Sequence, residues 1–358
     1  MSDQAQPPSD QIAFEPGAVL HAHIADQPTR LFELSPVLLS KYEVENGTVT
    51  IAGCSIDDEP IFEVARFAGG AGSSEPVVQF FDQTGWQLDA DTVESLGLES
   101  PANLQQLPPG IRPSHFQNCL QQGSQRISAQ TSPDRIELRR VIWCKRATGK
   151  ISIRIGERTA QVAFLGWTRR LINGADPLAP FVCPLSGKAS YHIVADDDGR
   201  LTVPEAVTAC DVSGRRVVET VLENSALSGK RALPQYMASC CVGGERILQS
   251  ELVTCKVCEQ AISPQAALAN GCRGCQDIPK ADAETVQHWT EVFPGLAKWK
   301  SIKIRETHSR VFISATKGWH RMLIVADKSN QQILCAKQAL RFFGTWRKLD
   351  IDEAHKLF

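Results

Sequence analysis

The segment Cys255-Lys-Val-Cys258 is followed by thirteen residues and then by Cys272-Arg-Gly-Cys275. Each Cys-x-x-Cys pair places two thiolates on one tight turn, so four sulfur atoms can converge on a single tetrahedral ion. Soft thiolate ligands suit Zn²⁺, which in structural sites needs no open coordination position. The spacing therefore predicts a zinc site that stabilises the fold. An iron–sulfur cluster and a pair of redox dithiols are the alternatives.

This pair of turns resembles the zinc knuckles of zinc-ribbon and treble-clef proteins. The resemblance covers only Cys255–Cys275, and no family resemblance extends over the whole chain. Between the two turns there is room for a small hairpin and a short helical segment that begins near Pro264. By its resemblance, the motif is a fold-stabilising element and not a catalytic one.

A related phrase recurs upstream at a constant step of fifteen residues, with copies that begin at Cys210, Ser225, Cys240 and Cys255. An earlier copy begins at Cys183 and contains a longer insertion. Self-similarity at a fixed period is typical of an array of supersecondary units stacked on their neighbours. We therefore expect a tandem array that ends in the four-cysteine site.

The upstream copies lack the second cysteine of a zinc knuckle, because Ser186, Ser213, Ser228 or Gly243 stands in its place. A hydroxyl cannot replace a thiolate on zinc, so we expect degenerate knuckles held by small apolar contacts. A second interpretation is that cysteines of adjacent units converge on another metal ion. One Zn²⁺ is thus expected and two are compatible with the sequence, the second ion being held by Cys183, Cys210, Cys240 and Cys241.

The formal net charge of −2 conceals an uneven distribution of charge. Residues 1–130 contain 17 acidic and five basic residues, whereas the remainder contains 23 acidic and 33 basic ones. The excess of positive charge is concentrated in residues 135–170 and 298–348. A single basic segment is a solvated face about as often as it is a binding surface. Two related basic segments favour an anionic partner such as nucleic acid.

The two basic segments resemble each other. Ser152-Ile-Arg-Ile matches Ser301-Ile-Lys-Ile, and Trp167-Thr-Arg matches Trp319-His-Arg. Alternating isoleucine and basic residues are typical of a strand with one solvent face, which indicates a duplicated β module.

Basic residues at matching positions of the two segments are candidates for contact with nucleic acid. They are Arg154 and Lys303, together with Arg169 and Arg321. An exposed Trp319 would add base stacking to these phosphate contacts. The alternative for Trp167 and Trp319 is core packing, since tryptophan between apolar strands is usually buried.

We expect an α+β, multi-domain protein in which small antiparallel β modules flank a tandem array of mostly degenerate zinc-knuckle units. Helices are predicted over Asp89–Leu98 and Ser114–Gln122 of the acidic part. The predicted segments are a disordered lead (1–11), an acidic α+β domain (12–130), a basic β module (131–182), tandem knuckle repeats (183–277) and a basic α+β module (278–358).

The sequence contains no phosphate-binding loop of the form G-x-x-x-x-G-K-[ST], no H-E-x-x-H and no G-x-S-x-G. Its twelve cysteines without a secretory signal predict a reducing, cytoplasmic compartment, and no stretch is apolar enough to predict a membrane span. We therefore expect a zinc-stabilised, accessory protein that binds DNA or RNA, or a larger nucleic-acid-handling complex, without catalysing a reaction. The alternatives are a protein–protein adaptor that docks through the knuckle array, and a nuclease-type enzyme whose site is not visible in the sequence.

Overall fold

The structure is a computed structural model that describes residues 20–67, 75–104, 107–130, 135–342 and 345–357. The predicted lead over residues 1–11 lies outside the described residues. The chain divides into two compact units, Met1–Ala206 and Val207–Phe358. Both units contain helices and strands, so the predicted α+β class is confirmed. The division into five segments remains a prediction.

The first unit is built from long strands, short strands and helices. Its strands are β1 (Leu20–His23), β2 (Glu43–Val44), β3 (Gly47–Phe67), β4 (Val77–Phe81), β5 (Ala102–Leu104), β6 (Arg135–Ile155), β7 (Arg158–Trp167), β8 (Phe181–Val182), β9 (Ala189–Ser190), β10 (His192–Ala195) and β11 (Leu201–Thr202). Its α-helices are α1 (Leu31–Ser40), α2 (Ala90–Leu96), α3 (Pro113–Gln130) and α4 (Thr168–Asn173).

A six-stranded mixed sheet organises the first unit, with the order β4-β3-β6-β1-β5 and with β7 also paired to β6. Strands β3 and β6 have 21 residues each and pair antiparallel, from Gly47 opposite Ile155 to Phe67 opposite Arg135. Strand β1 runs parallel to β6. The segments 12–130 and 131–182, which the sequence predicts as separate domains, thus both contribute strands to this sheet.

Successive side chains of a strand point to opposite faces of the sheet. In the middle of the β3–β6 ribbon, the side chains on both faces are buried. Ile61 and Ile142 pack with Leu96 at the end of α2. Phe62 and Trp143 lie in a second cluster with residues of α3. Helices therefore cover both faces of this part of the sheet.

Both helices predicted in the acidic part are confirmed, although their bounds differ. Helix α2 begins after Asp89, whose side chain accepts a hydrogen bond from the Thr92 amide at 2.7 Å. It ends at Gly97, which has a φ of 72° and so adopts the left-handed conformation that terminates helices. Helix α3 begins at Pro113 and continues to Gln130, past the predicted end at Gln122.

The second unit contains a series of short hairpins followed by a larger sheet and two helices. Its strands are β12 (Val207–Ala209), β13 (Arg216–Val218), β14 (Glu223–Asn224), β15 (Arg231–Ala232), β16 (Met237–Ser239), β17 (Arg246–Leu248), β18 (Val253–Thr254), β19 (Ala261–Ile262), β20 (Ala267–Leu268), β21 (Gly271–Cys272), β22 (Lys300–Glu306), β23 (Arg310–Lys317), β24 (His320–Asp327), β25 (Ile333–Leu340) and β26 (Arg347–Lys348). Its α-helices are α5 (Ala283–Val292) and α6 (Ile351–Leu357).

Four hairpin turns of this series begin at Cys210, Ser225, Cys240 and Cys255. In each, the amide of the first residue donates to the carbonyl oxygen five residues later, at 2.8–2.9 Å. The amide of the fifth residue donates back to the carbonyl oxygen of the first, also at 2.8–2.9 Å. A single turn of 3₁₀ helix follows each hairpin, and the one predicted near Pro264 is Pro264–Ala266.

The C-terminal sheet is an antiparallel meander with the order β22-β23-β24-β25-β26. One face packs on Trp289 of α5 and on Leu296 of the following 3₁₀ segment. On the other face, Phe312 and Leu323 belong to the same buried cluster as Cys255 and Cys272. The four-cysteine segment therefore lies against the face of this sheet that is opposite to α5.

No helix in the described residues of either unit is both long and apolar enough to cross a membrane.

Candidate metal centre

Two tight turns bring together the four cysteines of the Cys-x-x-Cys pairs. Cys255 and Cys258 lie on the turn between β18 and β19, and Cys272 ends β21, three residues before Cys275. Their sulfur atoms all lie within 4.8 Å of one another. Cys255, Cys258 and Cys272 are buried, and Cys275 is half-buried. This group of four thiols could hold one metal ion.

The distances between the sulfur atoms fit a tetrahedral ion. With a metal–sulfur bond of about 2.3 Å, tetrahedral ligands lie about 3.8 Å from one another. The Sγ–Sγ distances are 3.8 Å for Cys255–Cys275, 3.6 Å for Cys258–Cys272 and 3.6 Å for Cys272–Cys275. A disulfide would need about 2.0 Å, and all four cysteines are free.

The electrostatics of the cluster also favour a cation. Sulfur–sulfur hydrogen bonds with Cys258 and Cys275 lower the pKa of Cys272. Hydrogen bonds with Cys272 and Cys275 raise the pKa of Cys258. Four adjacent thiolates repel one another, and a divalent ion at their centre would offset that repulsion.

The four-cysteine segment is fixed to the C-terminal sheet by close packing. A side chain at Gly274 would place its Cβ 2.5 Å from the ring of Phe312, so only glycine allows this approach. Phe312 itself is fully buried. The four-cysteine segment and the sheet therefore share one core.

Ion pairs and hydrogen bonds add to this packing. Glu259 accepts from Lys337 at 2.8 Å and from Lys348 at 2.5 Å, which links the first turn to β25 and β26. Arg305 of β22 donates to the carbonyl oxygens of Gln276 at 3.0 Å and Asp277 at 2.8 Å, just beyond the second turn. Both cysteine turns are thus tied to strands of the sheet.

The other cysteines proposed as ligands have different surroundings. Cys183 lies in the first unit, where the hydroxyl of Thr202 donates to its sulfur at 3.1 Å. The sulfur of Cys240 accepts from the amides of Gly243 at 3.4 Å and Ser263 at 3.3 Å.

Cys210 is surrounded by hydrogen-bond donors of its own turn and of the following one. Burial raises its pKa, but donors of Ser213, Leu233 and Val212 have the larger combined effect and lower the pKa to about 7. Cys241 shows the opposite behaviour, since burial raises its pKa to about 12.

Within the ranges that the structure describes, Cys255, Cys258, Cys272 and Cys275 form the only group of three or more potential ligands this close together. Cys210, Cys240 and Cys241 of the second unit do not form such a group, and the second metal site remains a prediction.

The candidate nucleic-acid residues occupy different kinds of element. Arg154 of β6 and Lys303 of β22 are both exposed on strands. Arg169 lies on helix α4 and is half-buried, and its guanidinium donates to the carbonyl oxygen of Leu96 at 2.8 Å. Arg321 lies on β24, with its guanidinium carbon 4.7 Å from the ring centroid of Trp346.

The two matched tryptophans also differ. Trp167 ends β7 and is 8 % exposed, whereas Trp319 lies in the turn between β23 and β24 and is 73 % exposed. Core packing therefore describes Trp167 and not Trp319.

Sequence reasoning missed Arg341 and Phe342, which lie beside Trp319. Phe342 is 64 % exposed, and its ring meets that of Trp319 edge-on with 6.1 Å between the centroids. The Arg341 guanidinium lies 5.5 Å from the Phe342 ring centroid. The sequence signal for these residues is an arginine followed by a phenylalanine directly after a strand. This signal is weak, because the sequence does not show that the β23–β24 hairpin lies beside that strand.

Comparison with known proteins adds no relative, since no protein family, no curated protein and no solved structure matches this chain.

Proposed function

We propose that this chain is a zinc-stabilised protein that binds nucleic acid through one end of its C-terminal sheet and has no catalytic role of its own. The observation that carries the proposal is the separation of charge along the strands of this sheet. In this proposal, the zinc site stabilises the segment that packs on the face of the sheet opposite to α5.

The register of the sheet brings basic residues together at one end of its strands. Lys317, the last residue of β23, pairs with His320, the first residue of β24. Lys300 begins β22 and lies opposite Thr316. His320 in turn pairs with Leu340, which immediately precedes Arg341. Lys300, Lys317, His320 and Arg341 are all exposed and lie at the same end of the sheet; we call them the basic end.

The two acidic residues of segment 298–348 lie at the opposite end. Glu306 ends β22 and pairs with Lys328 at 2.9 Å. Asp327 ends β24 and pairs with Arg310 at 2.5 Å. Because these carboxylates are far along the strands and already paired, they do little to neutralise the basic end. Such a cluster of cations favours a polyanion, whose phosphates it can neutralise.

Lys303 and Arg321 of the same sheet extend the proposed surface inward from the basic end. Arg154 offers a further cation on the first unit. Arg169 is left out of the proposal, because its contact with Leu96 at the last turn of α2 gives it a structural role.

Zinc is the metal that this proposal assigns to the four cysteines. Four thiolates with tetrahedral spacing and no open position are typical of structural zinc. The hairpin turns at Cys210, Ser225 and Cys240 would then be degenerate knuckles, forming a tandem scaffold that leads to the intact one. Elemental analysis of the purified protein tests this assignment, with one zinc per chain expected. Less than one equivalent in folded protein would contradict it, and nearly two would favour a second site.

Binding is tested by fluorescence anisotropy with labelled mixed-sequence oligonucleotides over a range of salt concentrations. Phosphate contacts release counterions, so affinity should fall steeply as salt rises. The double variant K317Q/R341Q should bind more weakly and show a salt slope smaller by about one to two. A matched control is K230Q, which removes an exposed lysine of the same unit outside both the basic end and the four-cysteine turns. Absence of binding at low salt would refute the proposed function.

A further inference from the structure

We propose, building on the proposed function, that the basic end binds single-stranded nucleic acid and that a base stacks on Trp319. The proposal rests on an aromatic pair that the sheet holds in solvent, and it specifies which form of nucleic acid the surface prefers.

The backbone places Trp319 at the tip of a hairpin. Lys317 and His320 pair across the sheet, so Gly318 and Trp319 form a two-residue turn. Gly318 has a φ of 56°, which suits the first position of such a tight turn. A side chain at the second position points away from the sheet, and Trp319 is accordingly 73 % exposed.

The ring of Trp319 is held in place by its neighbours. The Arg341 amide donates to the carbonyl oxygen of Trp319 at 2.8 Å, which fixes the turn to the chain that leaves β25. Phe342 follows directly, and its ring stands at 72° to that of Trp319. An edge-to-face contact of this kind is favourable, and with 73 % of Trp319 exposed it leaves much of the tryptophan ring accessible to a base.

Two large aromatic rings exposed side by side lose the free energy that burial would provide. The cations around them point to an occupant that carries negative charge as well as flat apolar surfaces. Lys317 precedes the turn, and Arg341 lies against Phe342. A nucleic-acid strand has both properties, because each nucleotide combines a phosphate with a base that stacks on aromatic rings.

A single strand fits this surface better than a duplex. In a duplex the base faces are stacked on one another, so a ring at a hairpin tip reaches only the sugar–phosphate backbone or the groove edges. In a single strand each base can rotate out and stack on the exposed indole. Trp319 therefore favours the single strand, whereas the cations alone would bind both forms.

The test uses the full chain and three labelled probes of equal length: an oligothymidylate of about 15 nucleotides, a blunt duplex and an abasic strand that keeps the phosphates without the bases. The wild-type protein should bind the oligothymidylate most tightly. The variant W319A should lose about 5- to 100-fold in affinity for it and change little towards the abasic strand. The variant W319F should retain most of the affinity.

The matched control is W86A, since Trp86 of the first unit is 71 % exposed and lies outside the proposed surface. Circular dichroism should show that both alanine variants remain folded. If all three probes bind equally and W319A behaves as W86A does, the stacking proposal is refuted while salt-dependent binding still supports the proposed function. If no probe binds at low salt, both proposals fail.

Discussion

The turn at Cys255 and the turn at Cys240 have the same backbone hydrogen bonds but use their sulfur atoms differently. In the first, the sulfur lies 3.8 Å from that of Cys275 and belongs to the four-cysteine group. In the second, the sulfur accepts two backbone amides, those of Gly243 and Ser263. The turn itself therefore forms without a second cysteine, and the second cysteine adds a link to a distant turn.

The turn at Ser225 extends this comparison to a residue without sulfur. Its hydroxyl accepts from the amides of Leu227 at 3.3 Å and Ser228 at 3.4 Å, and donates to Glu251 at 2.5 Å. Glu251 also accepts from the amide of Leu248. The turn at Ser225 is thus linked to the next repeat through the Glu251 carboxylate. The turn at Cys240 is linked to the next repeat directly, by the hydrogen bond from the Ser263 amide to its sulfur.

The residue at the fifth position of each turn differs between the turn that packs on the C-terminal sheet and the other three. Gly214, Gly229 and Gly244 stand there with φ values of 72–82°, whereas the turn at Cys255 has Glu259 with a φ of 59°. A left-handed glutamate costs conformational energy that glycine does not. The two ion pairs of Glu259 with the sheet offset this cost, and they are specific to the turn that lies against β25 and β26.

The largest effect should come from removing a ligand of the intact turn. We expect C258S to lose the bound metal and to lower the free energy of unfolding of the second unit by about 4 kcal/mol or more, because metal binding contributes directly to folding. Elemental analysis and chemical denaturation followed by circular dichroism measure both effects. The variant C54S, which alters a half-buried cysteine of the first unit, is the control. Full metal content in C258S would exclude the four-cysteine site.

Docking can be separated from metal binding at Gly274. We expect G274A to lower the free energy of unfolding by about 1–3 kcal/mol, since its methyl group would overlap Phe312. The metal content should stay at one equivalent, because Gly274 is not a ligand. The control is A297S, which alters an exposed residue in the segment after α5. G214A would not serve as a control, because Gly214 has a positive φ that is itself unfavourable for alanine. Unchanged stability in G274A would show that the turn does not pack on the sheet.

Replacing the sulfur of a turn outside the metal centre should have a smaller effect. We expect C240S to lose about 1–2 kcal/mol of stability, because the smaller hydroxyl reaches the two amides less well in a buried site. Metal content should be unchanged. Loss of the metal in C240S would instead mean that this turn supports the centre directly.

The smallest effect is expected at Ser225. The variant S225A removes the hydrogen bond to Glu251 and should cost about 1 kcal/mol near neutral pH. Burial raises the pKa of Glu251, but hydrogen bonds from Ser225, Ser228 and Leu248 outweigh it and lower the pKa.

The pH dependence of this effect has a definite sign. A carboxylate with a lowered pKa contributes stability above its ordinary value of 4.5, and the contribution is lost as the pH falls through the lowered pKa. The difference in unfolding free energy between wild type and S225A should therefore shrink below about pH 4. A difference that grows on acidification would contradict this account.

Local patterns were enough to predict the four-cysteine group and much of the local structure. The spacing of Cys255, Cys258, Cys272 and Cys275 predicts a four-cysteine group because close pairs on tight turns have few other arrangements. The cap at Asp89 and the proline at Pro113 likewise mark helix starts that depend only on neighbouring residues.

Contacts between distant segments could not be predicted in the same way. The pairing of β3 with β6 joins residues that are 68 to 108 positions apart, and no local pattern specifies a strand's partner. Trp167 and Trp319 occur in similar local sequences, yet one precedes a helix and the other lies in a hairpin turn. Their exposure therefore depends on the element that each one adjoins and on its packing. Docking of the cysteine turns on Phe312 is equally non-local.

For the proposed binding of nucleic acid, the opposite ends of the C-terminal sheet have a consequence for the rate of association. Lysines lie at the start of β22 and the end of β23, whereas Glu306 and Asp327 at the other end are neutralised by Lys328 and Arg310. The positive charge is therefore concentrated at one end of the strands, which gives the sheet an electric dipole along their length. In the field of a polyanion such a dipole turns the molecule before contact, so that the hairpin bearing Trp319 leads the approach. Each encounter would then be productive more often than random collision allows, and this advantage would disappear once the ions of the solution screen the field within about 10 Å.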